Sequence, residues 1–248
     1  MKLLEEGWKN TEIAEYMRNT YFTSPQKTAL AITIANRERA ILEPVNYENG
    51  YSLYVGIPFC PSICLYCSFG SHVLGRWSHM VEPYLEALFR ELRFISEQMK
   101  DYTLDTVYIG GGTPTTLTPD QMRRLLTVLS EEFPLEQVQE FTVEAGRPDT
   151  ITREILEVLR EFPVSRISIN PQTMNQETLD IIGRRHTVEE TVEKFHMARE
   201  LGFDNINMDL IVGLPGEDKE KVAHTLKEIE ALNPDSLTVH CLALKRGT

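Results

Sequence analysis

Three of the four cysteines in this chain, Cys60, Cys64 and Cys67, fall on one short stretch at the spacing Cys-x3-Cys-x2-Cys. Thiolates are the usual ligands of iron–sulfur clusters, and a four-iron, four-sulfur cluster normally takes four of them. Three on one loop hold three irons and leave the fourth open to another ligand. One alternative is a structural zinc site completed by His72 or Cys241, although such sites commonly pair Cys-x2-Cys with a second pair, which this sequence lacks. Another is a redox dithiol at Cys64-Leu-Tyr-Cys67, which leaves Cys60 unexplained.

Other residue types suited to ligand chemistry are spread downstream. Gly110-Gly-Gly-Thr-Pro-Thr115 is neither a Walker loop, since no Gly-Lys-Ser/Thr follows, nor a Gly-x-Gly-x-x-Gly fingerprint. Three glycines let backbone N–H and C=O groups approach a ligand closely, and an ammonium or a carboxylate would suit them. Glu144 and Asp209 sit in otherwise apolar runs, where an unpartnered carboxylate is costly. Their partner is either an arginine, Arg166 or Arg147, or the ligand itself. Arg184 and Arg185 follow Gly183 and read as solvated helix-end charges or as ligand contacts. His240 lies in an apolar run, whereas His72, His79, His186, His196 and His224 show no distinguishing spacing.

The elements that must position these residues are short apolar runs alternating with amphipathic helices. Strands are predicted over 52–57, 106–109, 141–144, 164–169, 206–212 and 237–244. Between them, Val81, Leu85, Leu88, Leu92 and Ile95 mark one helix, with Pro83 in its first turn. The capping boxes Thr118-Pro-Asp-Gln121 and Thr187-Val-Glu-Glu190 open two more, and Gly202 closes the second. Further helices fall around Ile155, Leu179 and 217–231. Alternation of this kind predicts βαβ units and a parallel sheet, whose sites gather at the C-terminal strand ends. The cysteine loop, the glycine turn, Glu144, Gln172, Asp209 and the 240–243 stretch all fall there. Residues 1–50 read as a separate helical segment, broken near Ser24-Pro25 and with a second helix from Gln26 stopped by Pro44. The α/β core, a barrel or an open sheet, is 51–248, expected to be a piece of a longer chain at both ends.

At 248 residues, the chain is long enough for a core without disulfide staples. Its cysteine usage fits metal binding in a reducing cytoplasm, and no apolar run approaches the roughly 20 residues of a membrane span. A formal net charge of -12 disfavours nucleic acid and anionic membrane surfaces as partners. An anionic ligand is still accessible to basic residues focused in one cleft.

The cysteine spacing, with Tyr66 before the last cysteine, resembles that of the radical S-adenosylmethionine (SAM) superfamily. Tyr54-Val-Gly-Ile-Pro-Phe-Cys60, Gly110-Gly-Gly-Thr-Pro-Thr115 and Asp209-Leu-Ile-Val-Gly-Leu-Pro215 are similar to its oxygen-independent coproporphyrinogen III oxidase branch, in particular the coproporphyrinogen dehydrogenases of HemZ type. The resemblance runs from about Tyr51 onward. It implies an α/β fold of the partial (β/α)6, TIM-like barrel type, with a 4Fe-4S cluster on Cys60, Cys64 and Cys67 and SAM on the open iron. By position, Tyr54, the Tyr66 backbone and Ala243 are expected near the SAM adenine. Gly111, Gly112 and Thr113 are expected at its methionine amino end, with Glu144, Gln172, Arg184 and Asp209 lining the rest. The implied activity is that of an oxidoreductase of haem and porphyrin biosynthesis. Its external donor, a reduced flavodoxin or ferredoxin type, supplies the electron that cleaves SAM, and the resulting radical drives decarboxylation of a porphyrinogen propionate. A tetracarboxylate substrate calls for cations at the mouth, for which Arg147, Arg185, Lys245 and Arg246 are candidates. Two departures from the branch, Ser68-Phe69 after the last cysteine and Gly56 in place of a frequent histidine, point to the alternative of a haem-binding chaperone of the same superfamily.

The three-ligand reading makes Cys241 dispensable. Alanine at Cys60, Cys64 or Cys67 is expected to abolish the cluster, whereas Cys241→Ala keeps the wild-type iron content after anaerobic reconstitution; iron loss in the latter contradicts the reading.

Overall fold

The computed structural model describes residues 1–43, 45 and 49–243. The chain divides into two compact units, Met1–Tyr51 and Ser52–Thr248. The first contains α1 (Lys2–Glu5), α2 (Asn10–Tyr21) and α3 (Pro25–Leu42). The Ser24 hydroxyl accepts the Lys27 N–H at 3.3 Å and Pro25 fills the first turn, so α3 starts one residue before the expected Gln26. Pro44, the expected stop, lies outside the described residues. Within this unit, Thr23 and Thr28 share a hydroxyl hydrogen bond of 2.7 Å, and Asn36 Nδ2 donates to Asn10 Oδ1 at 3.2 Å.

The second unit is organised on β1 (Gly50–Ile57), β4 (Thr103–Gly111), β5 (Glu140–Glu144), β6 (Arg166–Ser168), β7 (Ile206–Val212) and β8 (Ser236–Cys241), hydrogen-bonded in that order. The pairings from β4 through β8 are parallel. All six expected strands are present. The fourth is shorter than expected, and the sixth begins one residue early; its expected last residue, Leu244, lies outside the described residues. Between the strands run α4 (Leu74–Trp77), α5 (Val81–Gln98), α6 (Pro119–Glu132), α7 (Arg153–Arg160), α8 (Gln176–Ile181), α9 (Val188–Glu200) and α10 (Lys219–Leu232). Both capping boxes form, at Thr118 and Thr187. Gly202 takes the left-handed conformation just past α9, at φ 86°. An additional parallel pair, β2 (Phe59–Cys60) with β3 (His72–Val73), brackets the cysteine loop. Two residues per strand are too few to carry a period, so the sequence gives no sign of it.

The strands alternate between two environments, with the buried Ile211 an apolar exception on the second. Val107, Ile109, Phe141, Val143, Ile167, Ile206, Met208 and Leu210 are buried in one apolar layer with the inner faces of the helices. The opposite face is polar: register pairs Tyr108 with Thr142, Glu144 with Ser168, Ser168 with Asn207, and Asp209 with Thr238. Cys60, beyond β1, and His240, on β8, line one common cavity although these are the two edge strands of the sheet. The sheet is therefore curled into a partial barrel with its polar face inward, the architecture expected from the sequence.

Phe141, on β5, is among the largest wholly buried side chains. Phe141→Ala is expected to cost about 3–5 kcal/mol in urea unfolding, the range for large-to-small changes in closely packed cores; a loss below about 1 kcal/mol contradicts the packing described.

Candidate cluster and cofactor site

The cysteine strand is held to the barrel by the glycine turn. The N–H groups of Gly112 and Thr113 donate to the carbonyls of Ile57 and Phe59, both at 2.7 Å, and the Thr113 hydroxyl lies 3.3 Å from the Cys60 sulfur. A Cβ on Gly112 would fall 2.6 Å from the Phe59 oxygen and 2.9 Å from that of Ile57. Glycine is needed here for a backbone-to-backbone contact, a role the sequence does not show, and Gly111 and Gly112 line the cavity as well. Gly111, at φ 107°, makes the turn possible. With these N–H groups spent, the turn's remaining capacity is carbonyl acceptor, which suits an ammonium and not a carboxylate.

The far side of the cysteine loop is tied down separately. Leu65 N–H donates to the Ile182 carbonyl at 3.0 Å, Cys67 N–H to Cys64 O at 3.0 Å, and the Ser62 hydroxyl to Gly183 O at 3.1 Å. Arg147, just past β5, donates to Ser62 and approaches the Cys64 sulfur at 3.7 Å. This arginine was expected as a substrate cation at the mouth. It is instead buried, 2% exposed, and ion-paired with Asp149. The other candidate on the described residues, Arg185, is exposed and does not line the cavity. Lys245 and Arg246 lie outside the described residues.

All three cysteine thiols are free and line a cavity of 270 Å³ together with Tyr66, Gly111, Gly112, Thr113, Glu144, Gln172, Arg184 and Asp209. Of the residues expected at SAM, Tyr54 and Ala243 are not in this lining. Tyr54 is exposed and stacked on Tyr108 at 5.7 Å between ring centroids, while Ala243 is exposed beyond the end of β8. Ser62, Arg147, Asn170 and His240 also line it; neither Ser62 nor Asn170 carries a sequence signal that would have singled it out.

The cavity's charges are unpaired with one another. The expected arginine partners of the carboxylates are engaged elsewhere, Arg166 with Glu140 at 3.3 Å and Arg147 with Asp149 at 2.9 Å. Asp209 accepts from Asn207 Nδ2 at 2.7 Å, and Asn207 is itself fixed by Ser168, Ser236 and Thr238. Burial first, then the Asp209 carboxylate, push Glu144 up to about 7, against the opposing pull of Tyr108, the Gly111 N–H and Arg184. Arg184 is buried and donates to the Asn170 carbonyl and, at 3.2 Å, to the Tyr66 hydroxyl. That phenol is kept neutral by its own burial, with Arg184 working the other way. The Tyr66 ring packs against Leu179, Ile182, Ile211 and Leu214. Gln172 holds a left-handed φ of 70°, unusual outside glycine, and its buried Oε1 has no donor. His186, which the sequence does not distinguish from other histidines, is fully buried, held neutral by desolvation and by Arg184 at about 3, and lies outside the lining.

Among the described residues, no three His, Cys, Asp or Glu side chains converge closely enough to hold one metal ion. A single zinc would require that convergence, and its proposed fourth ligands, His72 and Cys241, are both exposed. A cluster does not require it, because its thiolates bind different irons. Beside the thiols, a buried cation, two carboxylates and an orphaned amide oxygen fit a ligand bearing both an ammonium and a carboxylate.

The radical SAM superfamily profile matches residues 54–229, and the chain belongs to that superfamily. Its cofactors are a 4Fe-4S cluster and SAM, which the donor set fits. The chain is 43% identical, over all of its length and 50% of the relative's, to the oxygen-independent coproporphyrinogen-III oxidase-like protein HemZ of Bacillus subtilis. It is 36% identical over 79% of its length to the heme chaperone HemW of the same organism, of which it covers 52%. Coproporphyrinogen III oxidase (HemN) from Escherichia coli, a radical SAM enzyme, superposes with a TM-score of 0.71 at 36% identity, covering 77% of this chain and 44% of that one. The chain thus spans about half the length of the curated relatives it matches. No helix among the described residues is long and apolar enough to cross a membrane.

Glu144 gives the cavity a pH signature. Its folded value of about 7 lies above the ordinary 4.5, so the native chain keeps a proton that the unfolded chain releases. The associated stability is present below pH 4.5 and is lost as pH rises through 7, by about 3 kcal/mol in all. Urea unfolding between pH 5 and 8 is expected to show this fall, and Glu144→Gln to remove it; an unchanged slope in the variant contradicts the assignment.

Proposed function

We propose that this chain is the catalytic core of a radical SAM enzyme that decarboxylates coproporphyrinogen III oxidatively to protoporphyrinogen IX. The observation that carries the reading is the single cavity shared by three free thiols and the unpaired charges of Glu144, Asp209 and Arg184. Cys60, Cys64 and Cys67 hold the cluster. Arg184 and the carboxylates receive the oppositely charged ends of the methionine moiety of SAM, the glycine turn offers carbonyls to its ammonium, and Gln172 Oε1 accepts a further ligand donor. When bound, the two cofactors supply one-electron cleavage of a carbon–sulfur bond of SAM, and the protein supplies orientation and exclusion of water. The electron comes from a flavodoxin- or ferredoxin-type donor in a cytoplasmic setting.

In this reading the tetrapyrrole lies over the mouth of the cavity, whose 270 Å³ is at the lower limit of sites for small organic ligands. Arg185, exposed next to Arg184, is the remaining described candidate for a propionate contact.

The second reading is a haem-binding chaperone. It is favoured by Ser68-Phe69 after the last cysteine, by the exposure of Ile63, Leu65 and Phe69 around the cluster loop, and by the 36% identity to a heme chaperone. Anaerobically reconstituted protein in its full natural length, given reductant, SAM and coproporphyrinogen III, is expected to yield 5′-deoxyadenosine and a divinyl product. Stoichiometric haem binding without the divinyl product selects the chaperone reading, and the absence of 5′-deoxyadenosine overturns the radical reading itself.

A further inference from the structure

We infer that Arg147 is a positioning residue that raises the reduction potential of the cluster held by the cysteine loop. The inference rests on the cluster reading above and goes beyond it. Arg147 is 2% exposed, so its permanent charge has been taken almost wholly out of water. Burying a guanidinium is costly unless its donors are satisfied. Asp149 accepts from Nε at 3.0 Å and from Nη2 at 2.9 Å, a two-point grip that fixes the plane of the group. Nη1 is left to face the cysteine loop. It donates to the Ser62 carbonyl at 3.2 Å and the Ser62 hydroxyl at 2.9 Å, and stands 3.7 Å from the Cys64 sulfur. The Ser62 hydroxyl donates its own hydrogen bond to Gly183 O, so its lone pairs are turned toward the guanidinium.

An N–H directed at a cluster thiolate, and the positive end of the Arg147–Asp149 pair turned toward it in a poorly polarisable site, both stabilise the more negative, reduced state of the cluster. The step affected is the uptake of one electron, in which no bond is broken. Arginine suits the position because one planar group must grip Asp149 with two nitrogens and reach the loop with a third. A lysine keeps the charge and cannot make both contacts.

The test is an EPR-monitored potentiometric titration, with dithionite as reductant, of anaerobically reconstituted wild type, Arg147→Met and Arg147→Lys, each with its iron content measured. Arg147→Met is expected to shift the midpoint negative by at least tenfold in the oxidised-to-reduced ratio, about 59 mV for one electron. Arg147→Lys is expected to recover part of that shift. If Arg147→Met loses the cluster, the smaller negative shift is read on Arg147→Lys. A loaded variant with the wild-type midpoint overturns the inference, as does loss of the cluster from both variants with the fold intact, which would assign Arg147 a purely structural role. Failure of wild type to take up a cluster would instead overturn the cluster reading itself.

Discussion

Two backbone hydrogen bonds, from Gly112 and Thr113 to the carbonyls of Ile57 and Phe59, determine where the cysteines stand. They join the end of β1 to the end of β4 at a separation only glycine permits, since any Cβ at residue 112 would meet backbone oxygens that cannot move aside. Cys60 follows directly, with Thr113 beside its sulfur. The loop beyond then crosses the mouth to Ile182 and Gly183, with Arg147 beneath it. Three thiols from one short segment thus face a cavity whose remaining wall comes from strands far along the chain.

That wall depends on the same alternation that builds the fold. One face of each strand is buried with the helices, and this apolar layer supplies the cohesion. The other face therefore need not be apolar, and it carries Glu144, Ser168, Asn207, Asp209 and Thr238 in register around the interior. Asn207 shows the economy of this arrangement, since its carbonyl takes two hydroxyl donors while its amide fixes Ser168 and Asp209. A carboxylate held in this way is oriented but not neutralised. Its charge remains available to a cationic ligand, and the raised proton affinity of Glu144 reflects its burial first and the neighbouring Asp209 carboxylate second.

Much of this is legible in the sequence because it is local. Apolar periodicity, capping boxes and Gly202 locate helices and strands, and the cysteine spacing identifies the loop on which the chemistry depends. Non-local relations are less accessible. Glu144 and Asp209 look misplaced in apolar runs until register puts them on the inner face. Arg147 looks like a substrate cation because nothing in the sequence shows that its side chain meets a serine 85 residues earlier. The glycine turn looks like a ligand cradle, whereas its tightest contact is with the chain's own backbone. The β2–β3 pair is too short to leave any pattern at all.

The central claim is that the backbone contact at Gly112 places the cysteines for cluster binding. It is tested most directly by the iron content of Gly112→Ala after anaerobic reconstitution, with circular dichroism as a check on folding. Gly70→Ala serves as control, since a Cβ there meets nothing within 4 Å. The account predicts that Gly112→Ala folds but retains little iron while Gly70→Ala loads like wild type. A fully loaded Gly112→Ala cluster with the wild-type EPR spectrum would contradict it.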